Sequence, residues 1–392
     1  MLSLKQKAQE LLKSADIKIN PSKKEHRSFD IQVHNEKIYS RFFSQGSLGL
    51  GEAYMDNWFD VEKLDEFIAK ILSSKLDKKV KTLPTLILFL KSKVLNLQSK
   101  YRAFEVGEKH YNVGNDLYKA MLDERLTYTC GYWKSLKPIP QNLDKAQEQK
   151  LDLVCKKLNL KAGQKILDIG CGWGSFMKYA AEKYKVKCVG TTVSKEQIEL
   201  GRKLCKNLDI EFRLQDYREL LDSYRELLDS ASSEKFDHIV SLGMFEHVGC
   251  KNYKEFFKIV NHVLKDKGLF LLHTIGGNKS VTKCDAWFDK YIFPNGMLPS
   301  IKQIGEAIED YFVMEDWHSF GTDYDKTLMA WFHNFDKAWP KLKATGKYNE
   351  RFYRMWKYYL LSMAGAFRAR RNQLWQIVLS KNGVKGGYES IR

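Results

Sequence analysis

The stretch Lys165-Ile166-Leu167-Asp168-Ile169-Gly170-Cys171-Gly172-Trp173-Gly174 constrains the fold more than any other part of this 392-residue chain. Its apolar run reads as a buried parallel strand. The strand stops in a turn of alternating glycines, and a helix should follow. Glycines there let the backbone turn sharply and approach a ligand with no Cβ in the way. Open α/β sheets bind ligands at that end of a strand. The spacing Asp-x-Gly-x-Gly-x-Gly is not the dinucleotide fingerprint, and no Gly-Lys-Ser/Thr follows to cradle phosphates.

The pattern downstream extends this unit into a sheet. Strands are expected at 165–169, 187–191, 210–214, 238–242, 269–274 and 311–317, with a last, antiparallel strand at 373–380. Helices are expected at 141–158, 195–208, 253–264, 327–342 and 349–369. Strands alternating with helices predict an α/β fold with a doubly wound sheet.

Upstream, Leu4, Ala8, Leu11 and Leu12 sit at helical spacing, and 61–72 reads as another helix. Residues 30–43 fit strand or helix. Gly46-Ser47-Leu48-Gly49-Leu50-Gly51 reads as a turn. Together these predict a small, mostly helical N-terminal domain over 1–72. A basic amphipathic linker is expected over 73–104, with Lys75, Lys78, Lys79, Lys81, Lys91, Lys93, Lys100 and Arg102 against the single acid Asp77. Its apolar residues flanked by lysines suit a lipid headgroup layer, or a helix packed on the main domain with its lysines exposed. Residues 105–392 then form the catalytic domain.

The net charge of +17 points to an anionic partner: nucleic acid, acidic lipid or an acidic protein. Seven cysteines show no Cys-x-x-Cys and no Cys/His zinc spacing, which predicts reduced thiols, no metal and a cytoplasmic setting. The charged, helical start does not read as a signal peptide. The tightest apolar run, 86–90, is too short to span a bilayer, so any membrane contact would be peripheral.

If a cofactor sits at the end of 165–169, neighbouring strand ends should touch it. Thr192, Ser194 and Gln197 can hydrogen-bond a ribose diol, and Ser194 with Gln197 also fits a capping box. Asp216 could accept from an adenine amine, with Tyr217 flanking the ring. Glu246 and His273 follow from the next two strands. Either alone suits a structural role, but an acid and an imidazole converging on one pocket favour chemistry. Tyr128-Thr129-Cys130-Gly131-Tyr132-Trp133 and His110-Tyr111-Asn112-Val113-Gly114-Asn115-Asp116 are dense in polar aromatics, as a lid or a half-buried arm would be.

The glycine turn resembles the first motif of the S-adenosylmethionine (SAM) methyltransferases. That implies a class I methyltransferase sheet in which Asp168, Gly170, Gly172 and Gly174 hold the methionine end of SAM. With the two aromatic segments, Gly243-Met244-Phe245-Glu246-His247-Val248-Gly249, His273-Thr274-Ile275-Gly276 and Phe320-Gly321-Thr322-Asp323-Tyr324-Asp325, the chain resembles the cyclopropane-fatty-acyl-phospholipid synthases, kin of the mycolic acid cyclopropane synthases. The segment 45–56 resembles the phospholipid-acting branch, which carries an extra lipid-binding domain.

The resemblance implies transfer of a methylene from SAM across the cis double bond of an acyl chain in a membrane phospholipid. It implies Tyr128 and Thr129 at the cofactor. It also implies a bound bicarbonate held by Cys130, Glu246, His273, the backbone of Ile275, and Tyr324. Methyl transfer to an alkene leaves a carbocation, and ring closure needs a proton removed. Glu246 could be that base, or could orient bicarbonate with His273. Tyr128, Tyr324 and Trp133 are candidate aromatic faces for the cation. Met363 stands where many members carry a cysteine, and a thioether cannot serve as that nucleophile.

The implied partners are phospholipid and an anionic membrane surface, with no nucleic acid; a homodimer is compatible. The location implied is peripheral, on the inner face of the membrane. Two alternatives stand beside this reading: another SAM methyltransferase, acting on lipid or RNA, and a non-enzymatic lipid-binding protein. No RNP-type aromatic motif supports the RNA reading.

One exact repeat stands apart. Residues 217–223 and 224–230 are the same heptapeptide, Tyr-Arg-Glu-Leu-Leu-Asp-Ser, between two expected strands. A tandem duplication in a surface connection is tolerated. Deleting 224–230 is expected to leave SAM-dependent activity nearly intact, and loss of folding by circular dichroism would contradict that reading.

Overall fold

A computed structural model describes residues 2–76, 114–220 and 234–392. Most of the basic stretch expected at 73–104 lies outside these residues. So do 110–113 of the aromatic segment and the second heptapeptide copy.

Seven strands form one sheet: β3 Lys165–Ile169, β4 Lys187–Thr192, β5 Ile210–Leu214, β6 Phe236–Leu242, β7 Leu264–Gly277, β8 Val313–Ser319 and β9 Asn372–Ser380. Their order is β5-β4-β3-β6-β7-β9-β8. The strands β5 through β7 run parallel, and β9 is inserted antiparallel to both β7 and β8. The antiparallel last strand expected from the sequence is therefore present. The order reverses at β3 and β6, and there the crevice opens beyond the strand ends.

Alternation along β3 sends its side chains to opposite faces. Leu167 and Ile169 join Phe256, Phe257 and Val260 of the helix Tyr253–Val263. Ile166 joins Leu151 and Val154 of the helix Leu143–Lys157 and Phe176 of Ser175–Tyr184. Both faces are thus covered, which is why the strand reads as an unbroken apolar run.

The first 76 residues carry four helices, Leu4–Lys13, Lys37–Gln45, Ser47–Met55 and Leu64–Ser73, and a two-residue antiparallel pair, β1 Gln32–Val33 with β2 Phe59–Asp60. The expected turn at 46–51 is a correction. Only Gly46 turns, with φ +60°, and a helix starts at Ser47. The later glycines serve close packing instead: a Cβ on Gly51 would come within 2.3 Å of the Trp287 indole. A glycine run is ambiguous in sequence because contact partners elsewhere decide whether it bends or is pressed flat.

The long helix Glu350–Arg368 binds these N-terminal helices to the sheet domain. Trp356, Leu360, Ala364 and Phe367 share one apolar cluster with Tyr54, Leu64, Phe67 and Ile68. Arg354 donates to the carbonyls of Tyr54 and Phe59, and Arg368 to Asp65. Among the described residues, no helix is long and apolar enough to cross a membrane. All seven cysteines are free.

At the crossing, a Cβ on Gly365 would lie 2.6 Å from the Asp65 carbonyl oxygen and 3.0 Å from Ile68 Cβ. Gly365→Ala is expected to prise the two helices apart and cost about 1–3 kcal/mol. Urea unfolding should show a lower midpoint at unchanged slope.

Candidate active site

Three glycines after β3 have different work. Gly174 (φ +83°) caps the helix Ser175–Tyr184, and a Cβ there would strike the Phe212 ring at 2.6 Å. Gly170 backs onto Met244. Gly172 (φ +56°) faces open space, its nearest neighbour being Gln197 Nε2 at 4.0 Å from an added Cβ. That open side is the wall of a cavity of about 840 Å³.

Tyr128, Thr129, Asp168, Gly170, Gly172, Thr192, Gln197, Asp216 and Tyr217 all line this cavity. So do Glu246, Ile275 and Tyr324. Four expected site residues do not: Gly174, Ser194, Cys130 and His273. Ser194 caps the helix Lys195–Leu204 by accepting from the Gln197 N–H at 3.3 Å. The reciprocal half of a capping box is missing, because Gln197 Oε1 accepts from the Thr192 hydroxyl at 2.8 Å. Cap and cavity wall thus divide the segment between them.

Cys130 is buried, and its thiol points to the Gly131 carbonyl oxygen at 3.1 Å. Burial pushes its pKa well up, so it is a neutral thiol. His273 on β7 pairs with Gln376 on β9, and Gln376 Nε2 lies 3.3 Å from its Nδ1. With Nδ1 accepting, Nε2 carries the proton, and Nε2 has no partner. Burial, then Lys150 and Lys157, hold its pKa well below the usual imidazole range. Trp133 is also a correction: its backbone N–H donates to Asp323 and its indole to the Thr327 hydroxyl, away from the cavity.

Glu246 sits in a 3-10 turn, Phe245–His247, just past β6. Its Oε1 accepts from the Ile275 N–H at 2.6 Å, and its Oε2 is buried with no partner. Burial pushes its pKa up to about 7, against the opposing N–H of Ile275. Asp168 behaves alike: buried, with Oδ1 unpartnered, it is pushed up to about 7 by burial, with Lys150 opposing. Asp216 is held by its neighbour Arg218 at 2.6 and 2.9 Å. Its carboxylate can still accept from a ligand.

Sequence reasoning missed Lys150. Its Nζ is fully buried on the cavity wall and donates to the Thr129 hydroxyl at 2.8 Å. Burial pulls its pKa down to about 8, with Asp123, Cys130 and Asp168 opposing. The signal was there: Leu143, Ala146, Gln147, Lys150, Val154 and Lys157 form the buried stripe of one helix. A lysine on an apolar stripe is a buried charge awaiting a partner. Tyr359 was missed as well. It lines the cavity and its hydroxyl lies 2.8 Å from that of Tyr128.

The same cavity continues away from the glycine turn. Leu11, Leu12, Ile19, Ile38, Phe42, Phe67, Ile68 and Ile71 of the N-terminal helices and their connections line it further on. A polar, glycine-lined end and an apolar end are therefore one space.

Sheet order, glycine turn and buried acid define the class: the chain is a SAM-dependent methyltransferase of the class I fold. The profile of the family described as "Mycolic acid cyclopropane synthetase" matches residues 98–377. The cyclopropane-fatty-acyl-phospholipid synthase of Escherichia coli K12 is 48% identical over 98% of this chain and 95% of its own length. Cyclopropane mycolic acid synthase 3 of Mycobacterium tuberculosis is 33% identical over 70% of this chain and 96% of its own. Among solved structures, mycolic acid cyclopropane synthase CmaA1 complexed with SAH and CTAB superposes with a TM-score of 0.61 at 30% identity, covering 71% of this chain and 98% of its own. The cyclopropane synthase MmaA2 of Mycobacterium tuberculosis gives 0.63 at 29% identity, covering 73% of this chain and all of its own. The chain belongs to the cyclopropane synthase family.

The residues at the polar end fit SAM. Gly172 leaves room for it, and the unpartnered Asp168 Oδ1 suits its ammonium group. In the free protein Asp168 takes up a proton as pH falls through about 7, and the neutral acid binds a cation more weakly. SAM affinity by calorimetry is expected to fall about tenfold between pH 8 and pH 6. Asp168→Asn should bind weakly and show a flat profile across that range.

Proposed function

We propose that this chain transfers the methyl carbon of SAM, as a methylene, to the cis double bond of unsaturated acyl chains in membrane phospholipids, forming a cyclopropane ring. The single observation that carries this reading is the continuous cavity, polar at the Gly172 end and apolar among the N-terminal helices. A mostly aliphatic substrate reaching the cofactor needs such a space, and a soluble polar substrate does not. On this reading residues 1–72 are a lipid-binding domain, 105–392 are catalytic, and the basic segment between them meets the anionic face of the membrane. The net charge of +17 supports that partner and a peripheral, inner-face location.

SAM supplies an electrophilic methyl group. Asp168, Gly170, Gly172, Thr192 and Gln197 hold it, while Asp216 and Tyr217 flank its far end. Tyr128 and Tyr324 present aromatic faces to positive charge that develops on the acyl chain. Apolar walls exclude the water that would otherwise capture it.

Ring closure releases a proton, and Glu246 Oε2 is the acceptor on the wall of the cavity. A pKa near 7 lets this group take up and release that proton near neutrality. Glu246 Oε2, on the cavity wall, and His273 Nε2, off it, are both buried without a partner. A protonated Glu246 carboxyl and the His273 N–H are the donors that a small oxyanion such as bicarbonate would need, and bicarbonate would then take the proton in place of Glu246. The remaining expected ligands fit it less well, since the Ile275 N–H is engaged by Glu246 and the Cys130 thiol faces Gly131. Met363 lines the cavity and offers no nucleophile.

Purified protein with SAM and unsaturated phospholipid vesicles should yield lipids heavier by one methylene and carrying a ring, by mass spectrometry. Glu246→Gln should lower that rate by about 10²–10⁴-fold while SAM still binds. The raised pKa means that Glu246 destabilises the fold as pH rises from the ordinary carboxylate range through about 7. The same variant should therefore melt higher than the parent at pH 8 and gain little at pH 5. Near-normal turnover in the variant would refute the role of Glu246.

A further inference from the structure

Glu52 lies on the N-terminal helix Ser47–Met55, remote in sequence from every catalytic strand, yet it is buried and takes three donors. Its Oε1 accepts from Lys290 Nζ at 2.6 Å and from the Tyr291 hydroxyl at 2.8 Å. Its Oε2 accepts from Arg41 at 2.5 Å. Within the N-terminal helices Arg41 is shared between Glu52 and Asp56, whose Oδ2 accepts from it at 2.8 Å. The other two donors come from the catalytic part of the chain and join the two parts through a desolvated carboxylate.

Lys290 and Tyr291 belong to the short helix Ala286–Tyr291, whose Trp287 is pressed against Gly51. From that helix the bonds continue inward. Asp289 Oδ1 accepts from the Asn295 N–H at 2.9 Å. Two residues on, the Met297 N–H donates to the backbone carbonyl of Glu246 at 2.8 Å. Phe293, Asn295 and Met297 meanwhile wall the cavity beside Glu246. A contiguous run of hydrogen bonds and short backbone thus leads from Glu52 to the acid at the reacting end.

We propose that Glu52 is a positioning residue for the transfer reaction: by gripping Lys290 and Tyr291 it anchors the segment 286–297, which fixes the backbone of Glu246 and the cavity wall beside it. This rests on the reading of Glu246 as the working acid. The N-terminal helices then have a second role besides lining the apolar end. Their seating on the helix Ala286–Tyr291 aligns the acid, so a displaced N-terminal part gives a slack site even with SAM bound.

The test uses the full chain. Glu52→Gln keeps the shape and an acceptor for Tyr291 but removes the charge facing Lys290. Lys290→Met removes the partner from a more exposed position, and serves if the first variant folds poorly. Each is expected to lower kcat for methylene transfer roughly tenfold, as loss of alignment does, with the SAM dissociation constant unchanged within about twofold. The double variant should be no slower than either single one, because both cut the same link. Lys290→Arg should restore the rate. Hydrogen exchange gives a readout that does not need turnover: the Ile275 and Met297 amides, both bonded to Glu246, should exchange faster in Glu52→Gln without lipid present. Unchanged kcat with unchanged exchange at these amides overturns the proposal, as do additive losses in the double variant. Faster exchange in a protein whose parent makes no cyclopropane overturns the function proposed above and leaves the coupling standing.

Discussion

Two carboxyl groups buried without full hydrogen bonding, Asp168 and Glu246, set the terms for everything around them. Each sits just where a strand of a doubly covered sheet runs out, the one edge where such a sheet can present polar groups to a ligand. Taking a carboxylate from water is costly, and both groups respond by holding a proton up to about neutrality. The fold tolerates them because β3 and β6 are adjacent and their backbones are fixed by the surrounding apolar layers. Lys150, delivered by the helix that covers the Ile166 side of β3, offsets the first of these charges. The second is met by the Ile275 N–H, with the Thr274 side chain also opposing the shift. Stability given up at such a site is commonly what reactivity requires.

The second organising feature is the joining of two parts by one helix and one cavity. Glu350–Arg368 packs its apolar side on Leu64–Ser73 and Ser47–Met55, with Arg354 and Arg368 reaching across to the N-terminal residues. The same junction leaves a continuous space from the glycine turn to Ile38 and Phe67. On the function proposed above, a greasy chain and a charged donor would meet there with little water between them. Tyr128, Tyr324 and Tyr359 line the cavity at this junction, and on the same proposal their rings would be attractive toward a cation.

Much of the sheet was legible because its signals are local. Three apolar residues in a stretch of five, ended by glycine, specified Lys165–Ile169 to the residue. The helices 195–208 and 349–369 were read within a few residues of Lys195–Leu204 and Glu350–Arg368. Errors gathered where a residue type has two uses. The glycines of 46–51 suggested a turn, but Gly51 is there to admit Trp287, 236 positions away. In the site, Asp168, Gly172, Glu246 and Tyr324 line the cavity. Cys130, His273 and Trp133 do not, because each is turned toward Gly131, Gln376 or Thr327 by partners that no spacing rule reveals.

By itself the sequence determined the parallel strands, the helices between them, the glycine turn and the acid that ends its strand, since hydrophobic period and glycine placement act within a few residues. It also determined, through its motifs, the family to which the chain belongs. Only the tertiary structure decided which polar groups lose their water and which keep a partner. That choice set the protonation of Asp168, Glu246 and His273, and brought Lys150 to the cavity wall beside Thr129. It also decided that helices from the first 76 residues complete the cavity and that Glu52 meets Lys290. Burial and long-range contact are properties of the packed chain, and no window of sequence contains them.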